Sequence, residues 1–346
     1  MNPQRANLHT LFALTAARLL HIVDRCDVFA RIRHSEGAYH GPMEPWPELP
    51  AAWTDTYATL HMWSQVVGKI ALVQAPRLNH SWAVALQLTS RGLMTRPLPH
   101  GHRTFTIEFD FLDHHLHIVV ADGERRSLPL VPRTVAAFYD EVMTTLDEMK
   151  LPVRIWPVPV EIPNPIRFTD DTVHKSYDRK YVSAFWHILV NCERVFSRAR
   201  CGFLGKASPV HFFWGSFDLA VTRFSGRPAP PREGPDFMRE AYSHEVISHG
   251  FWPGSGPGTA FGPGAVDEPT FYAYAVPEPS GFKTGDIEPR GAFYHSELGE
   301  FILPYRVVQS AGDPDAALLA FIDSTYSSAA DLASWDRAAL ERPVLT

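Results

Sequence analysis

Residues Ser208–Arg227, "SPVHFFWGSFDLAVTRFSGR", carry His211, Asp218 and Arg223 among Phe and Trp neighbours in the most apolar part of the chain. Read as one regular strand, side chains alternate between two faces. His211, Phe217 and Arg223 then share one face, and Trp214 and Asp218 the other. Both faces are largely apolar, as in a strand covered on both sides. A second reading turns the stretch into a hairpin around Gly215. An isolated buried Asp or Arg costs several kcal/mol. The polar residues therefore either satisfy one another in a core or floor a pocket, where the planar fork of Arg223 suits a carboxylate or phosphate.

Working outward, the same order of elements occurs twice. "AAWTDTYATLHMWSQVVGKIALVQ" (51–74) has helical spacing, with Trp53, Tyr57, Leu60 and Val67 on its apolar positions. "WAVALQL" (82–88) reads as a strand. In "RTFTIEFDF" (103–111), Phe105, Ile107, Phe109 and Phe111 alternate with polar residues, which marks a half-buried strand. Asp113-His114 and Asp122-Gly123 sit where turns are needed. "PRTVAAFYDEVMTTLDEMK" (132–150) reads as a helix opened by Pro132. The second half begins with a helix from Arg179. The quoted stretch follows, then strands in "EAYSHEVISHGFW", "TFYAYAVPEP" and "AFYHSELGEFILPY". A closing helix follows Asp313 or Asp315, either of which can cap it. "VVGK" (66–69) and "FLGK" (203–206) end the two leading helices.

The expected fold is α+β: two similar helix–antiparallel sheet–helix halves, a diverged duplication packed about a pseudo-twofold axis. The boundaries are an extension over 1–45, a first half over 46–165 and a second over 166–340. The second half carries the long Pro/Gly loops and is the expected site-bearing half.

Composition sets limits. The chain has 346 residues, a net charge of −6 and 45% hydrophobic residues, enough for a large core. The acidic balance argues against a nucleic-acid binder. Cys26, Cys192 and Cys201 form no CxxC pair, which suits a reducing cytoplasm. No apolar run reaches the ~18 residues of a membrane span. "LFALTAARLL" (11–20) is interrupted by Arg18 and reads as an amphipathic helix or a start-site extension, not a signal peptide.

Familiar catalytic signatures are missing. There is no Walker A loop and no Gly-x-Ser-x-Gly elbow. "SHEVISH" lacks zincin spacing, because His249 follows His244 by five residues. "FYHSELGEF" offers His295, Glu297 and Glu300, which with other strands could form a facial metal site or an acid–base pair. "DFLDHHLH" (110–117) reads as a polar hairpin rim.

The stretch at 208–227, with "EAYSHEVIS", "GFWPG", "FYAYAVPEP" and "AFYHSELGEFILPY", resembles a bacterial family described only as a domain of unknown function, family 5996. The resemblance spans about Trp46 to Asp336 and implies no activity, ligand or catalytic residue. Where the family opens its first strand with two adjacent Trp, "NHSW" (79–82) has Ser81 in one of those places.

The leading expectation is a cytoplasmic enzyme that acts on a small molecule in a cleft between the halves. The chemistry would be acid–base, with a divalent metal as a possible aid. His211, Asp218, Arg223, His244, Glu245 and His295 are the candidate catalytic groups. Trp214, Phe251, Trp252, His80 and Trp82 are the candidate ligand-binding walls. The alternatives are a non-catalytic small-molecule-binding protein and an oligomeric scaffold, the oligomeric state being open. Neither nucleic acid nor membrane is an expected partner.

Overall fold

The computed structural model describes residues 46–234, 236–254 and 266–342. Cys26, the apolar segment 11–20 and the glycine-rich run after Gly254 lie outside the described residues.

The first half opens with helix α1, Thr54–Gln74. Nearly every side chain from Thr56 to Ala71 is buried, Lys69 included. A helix apolar all round needs cover on all sides. Six short strands follow: β1 (Gln87–Leu88), β2 (Gly92–Met94), β3 (Leu98–His100), β4 (Arg103–Asp110), β5 (His115–Val120) and β6 (Arg125–Pro129). They form one antiparallel sheet in the order β1-β2-β4-β5-β6, with β3 beside β4. The expected alternation holds in β4, where Phe105, Ile107 and Phe109 are buried. Helix α2, Val135–Glu148, is capped by Thr134, whose hydroxyl accepts from the Ala137 amide. It covers the apolar face, with Phe138 stacked between Trp63 and Phe109.

The second half opens with α3, Arg179–Cys201, capped by Asp178 and carrying Arg198 and Arg200 in its last turn, where the helix dipole favours cations. Strands β7 (His211–Phe213), β8 (Asp218–Pro228), β9 (His244–Trp252), β10 (Thr270–Val276), β11 (Phe293–His295) and β12 (Glu300–Pro304) form a second antiparallel sheet in the order β11-β12-β10-β9-β8-β7. Short helices α4 (Asp236–Ala241) and α5 (Tyr305–Gln309) precede α6, Pro314–Leu332. The side chain of Asp313 caps α6 by accepting from the Ala316 amide, with Pro314 at the first helical turn. "WAVALQL" contributes a strand only at Gln87–Leu88, and "AFYHSELGEFILPY" is a hairpin instead of one strand.

The α+β class therefore holds. The two sheets meet at an edge. Leu86 and Phe212 exchange two backbone hydrogen bonds of 2.8 and 2.9 Å, which link β1 to β7. The apolar faces are covered by helices: α6 lies on β9 and β10, and α3 on β8. No helix among the described residues is long and apolar enough to cross a membrane.

Candidate functional site

The stretch at 208–227 is not one strand. Trp214–Phe217 form a tight turn, with Phe217 at φ 57°, and β7 pairs back onto β8. This changes the parity. His211 lies opposite Ala220, and Phe213 opposite Asp218, so His211 and Asp218 share a face. Arg223 is on the other one. A regular strand had put His211 with Arg223; the hairpin reverses that pairing.

Register across the sheet then defines both faces. The face toward the helices carries Phe212, Leu219, Val221, Arg223, Ile247, Phe251 and Phe271, nearly all apolar. The opposite face carries polar and aromatic groups. One row runs His211–Ala220–Gly250–Tyr272 across four strands. The next holds Thr222, Ser248 and Tyr274, and His295 pairs with Glu300 on the outer strands of the same face.

The chemistry gathers on this polar face. Asp218, 7% exposed, accepts hydrogen bonds from Ser216 Oγ and from the Tyr272 hydroxyl. Tyr272 reaches it by lying over Gly250, where an added Cβ would sit 2.2 Å from the ring. Burial raises the pKa of Asp218, partly offset by the two hydrogen bonds. Two further carboxyls flank it. Burial, then the charge of Asp218, pushes Glu300 up to about 7. The same two causes push Glu161 to about 7. Glu161 as a whole is exposed, yet its carboxylate is turned inward: a Cβ on Gly215 would lie 2.8 Å from its Oε1. Its backbone has φ 59°, a left-handed value costly for a side-chain-bearing residue. Gln65 holds the segment there with two 2.8 Å bonds to the backbone of Val160. Beside them, Thr222 and Ser248 share a 2.9 Å hydroxyl contact, and Tyr242 and Tyr274 one of 3.4 Å.

His211 completes the floor. It is fully buried, and neither ring nitrogen has a protein partner. Burial, then nearby Arg96 and Arg200, lowers its pKa to about 4, so it is a neutral imidazole. Its ring is 6.1 Å from Trp82, which with His80 and Phe224 makes an aromatic wall. His244 is exposed at the rim, 6.3 Å from the His80 ring. His80 and Trp82 come from the first half, so the face is bounded by both halves. Trp252 also lies on it.

The other expected residues are elsewhere. Arg223 is wedged between Tyr326 (4.3 Å) and Phe203 (5.9 Å), and donates to the Ala199 carbonyl at 3.0 Å. Ala199 lies in the last turn of α3, so the guanidinium serves that helix end. Glu245 is bound to Arg227 and Ser225 and borders a separate cavity of about 260 Å³. Phe251 is core, packed on Phe271 and Tyr305. Trp214 lies in the turn, donates to the Val84 carbonyl at 2.9 Å, and packs against Gly68. His295 is on the polar face but at its far edge, beside Glu300, and its Nδ1 is buried without a partner. Glu297 is exposed in the hairpin turn. Among the described residues, no three His, Cys, Asp or Glu side chains are placed to hold one metal ion.

The residues that sequence reasoning missed are Glu161, Tyr272 and Tyr274. The two tyrosines alternate in "TFYAYAV", so strand parity alone places them on one face. Glu161 sits in a proline-rich segment with no periodicity, and nothing local marks it.

No curated protein and no solved structure matches the chain. The profile of one family does, a family of unknown function (DUF5996), over residues 46–342. That interval holds every residue of the polar face, and the chain belongs to this family.

Proposed function

We propose that the chain is an enzyme acting on a small polar molecule by acid–base chemistry on the polar face of the second sheet. The observation that carries this reading is the pair of carboxyls, Glu161 and Glu300, held near pKa 7 on either side of Asp218. Carboxyls that titrate near neutral pH serve as acid in one form and base in the other. The Tyr272 hydroxyl and the neutral His211 ring supply positioning groups. Asp218 holds Tyr272 in place. The substrate would be small and hydroxyl- or amine-bearing, with Trp82 and His80 as its apolar wall.

The test is a screen of small polar substrates with the full-length protein. Turnover with a bell-shaped pH profile centred near 7, lost in Glu300→Gln and Tyr272→Phe while both stay folded, is the expected result. Full activity in both folded variants overturns the proposal. The aromatic wall beside His211 favours one other reading, a non-catalytic binding protein. It would show as an organic molecule retained through native purification, with no turnover.

The same reading treats the chain as a cytoplasmic protein and a diverged duplication. Support for the duplication is the repeated element order and the antiparallel contact of Leu86 with Phe212, where a local twofold axis would pass. Superposing residues 54–148 on 179–332 tests it. Failure of the strands to overlay in order sinks it.

A further inference from the structure

The outer face of the first sheet carries a second arrangement of reactive groups. His117, on β5, is 6% exposed. Its Nδ1 is 2.8 Å from Ser127 Oγ on β6, and its Nε2 is 3.4 Å from Asp110 Oδ2 on β4. Three adjacent strands thus contribute one residue each. His117 and Ser127 are register partners, and Asp110 lies diagonally across, opposite His115.

The order carboxylate, imidazole, hydroxyl is that of an activated nucleophile, in which the base touches the hydroxyl and a third group orients the base. Each member is in the state this needs. Asp110 is 1% exposed and paired with Arg91, and its Oδ1 accepts the amides of Leu112 and Asp113, both at 2.9 Å. Against the raising effect of burial, Arg91 and these amides hold its pKa below the ordinary carboxylate range, so it is ionised. Burial, then the charge of Arg125, lowers the pKa of His117, with Asp110 opposing, so the ring is a free base near neutral pH. Ser127 is exposed and reachable. Arg125, two residues earlier on the same strand face, is exposed as well. A Ser–His contact across strands is also ordinary sheet pairing. The buried, ionised Asp110 behind the ring is what ordinary pairing lacks.

We propose that Asp110, His117 and Ser127 form a nucleophilic site, separate from the polar face of the second sheet, that accepts acyl groups from small esters. Ser127 Oγ attacks the ester carbonyl carbon and passes its proton to His117. The bond to the leaving alcohol breaks, and the alcohol takes that proton. Water then cleaves the acyl-serine, releasing a carboxylic acid and restoring the hydroxyl. Asp110 is a positioning residue: it fixes the ring and stabilises the imidazolium. Arg125 offers positive charge to the oxyanion or to an acid group on the substrate. The open sheet surface suits small esters better than one enclosed substrate.

A fluorophosphonate probe tests this on the full-length protein. Ser127 Oγ bonds to phosphorus, fluoride leaves, and the proton goes to His117. The expected result is one adduct, mapped to Ser127 by peptide mass, absent in Ser127→Ala and absent from urea-unfolded protein. His117→Gln should slow labelling at least tenfold. Asp110→Asn should slow it and move the midpoint of its pH profile to lower pH, a shift that loss of mere structure does not give. Thermal melts check that the variants, Ser127→Ala included, are folded. No Ser127 adduct on the folded protein overturns the proposal. So does wild-type labelling in folded His117→Gln.

Discussion

The Tyr272 hydroxyl reaches the Asp218 carboxylate by crossing above Gly250, one strand away from each. A residue without a side chain in β9 is what lets a phenol from β10 serve an acid on β8. An alanine at 250 would place its Cβ 2.2 to 2.5 Å from atoms of the Tyr272 side chain, inside van der Waals contact. Gly250→Ala is expected to cost about 1–3 kcal/mol in urea unfolding, as overpacking does. Tyr272→Phe, which strips a donor from a buried acid, should also cost about 1–3 kcal/mol. The double variant should cost less than the sum, because both changes break one contact. Full additivity would count against the link.

Glu300 sets a pH dependence. Folded, it keeps its proton up to about 7, against an ordinary 4.5. The folded state binds more protons between those values. Its contribution to stability is therefore complete below about 4.5 and is lost as pH rises through 7. Glu300→Gln imitates the protonated form. It is expected to match wild type at pH 4 and to exceed it at pH 8, by on the order of 2 kcal/mol after solvent screening. Denaturation curves at the two pH values decide it. Equal differences at both would refute the assignment.

Arg223 is a buried cation held by rings and one carbonyl, with Nη1 unpartnered. Burial lowers its pKa. Its side chain fills the space between the Phe203 and Tyr326 rings. Arg223→Ala should cost about 2–4 kcal/mol through the cavity it opens. Arg223→Met, which refills that space, should cost far less. Equal losses in the two variants would show that the charge itself is needed.

Gly68 receives the Trp214 ring, and a Cβ there would lie 2.1 Å from it. Gly68→Ala gains helix propensity but collides with a side chain anchored on Val84. A net loss of about 1–3 kcal/mol is expected in thermal or urea unfolding. A stabilised variant would mean that the turn at 214–217 adjusts freely.

Much of the fold was legible in the sequence by itself. Helical spacing marked α1, α2, α3 and α6 close to their observed bounds, because each must bury a stripe of apolar side chains. Asp313 and Asp315 were the two candidate caps at the start of α6, since the free amides of a first turn need an acceptor, and Asp313 is the one that caps it. Alternation in 103–111 gave β4 and its buried face. The polar face was legible only in part. His211, Asp218, His244, His80 and Trp82 were marked as candidate site residues; His211 and Asp218 share the polar face, and the rings of Trp82, His80 and His244 follow one another from His211 to its rim. Parity failed at Trp214–Phe217, because a four-residue turn reverses the chain, and with it the faces. Arg223 went to the helix side for that reason, and Phe251 by plain alternation with Gly250 and Trp252 along β9. Glu161 and the Asp110–His117–Ser127 series came only from tertiary structure. Their members lie on segments or strands whose proximity is set by register and packing, and no local pattern in the chain encodes either one.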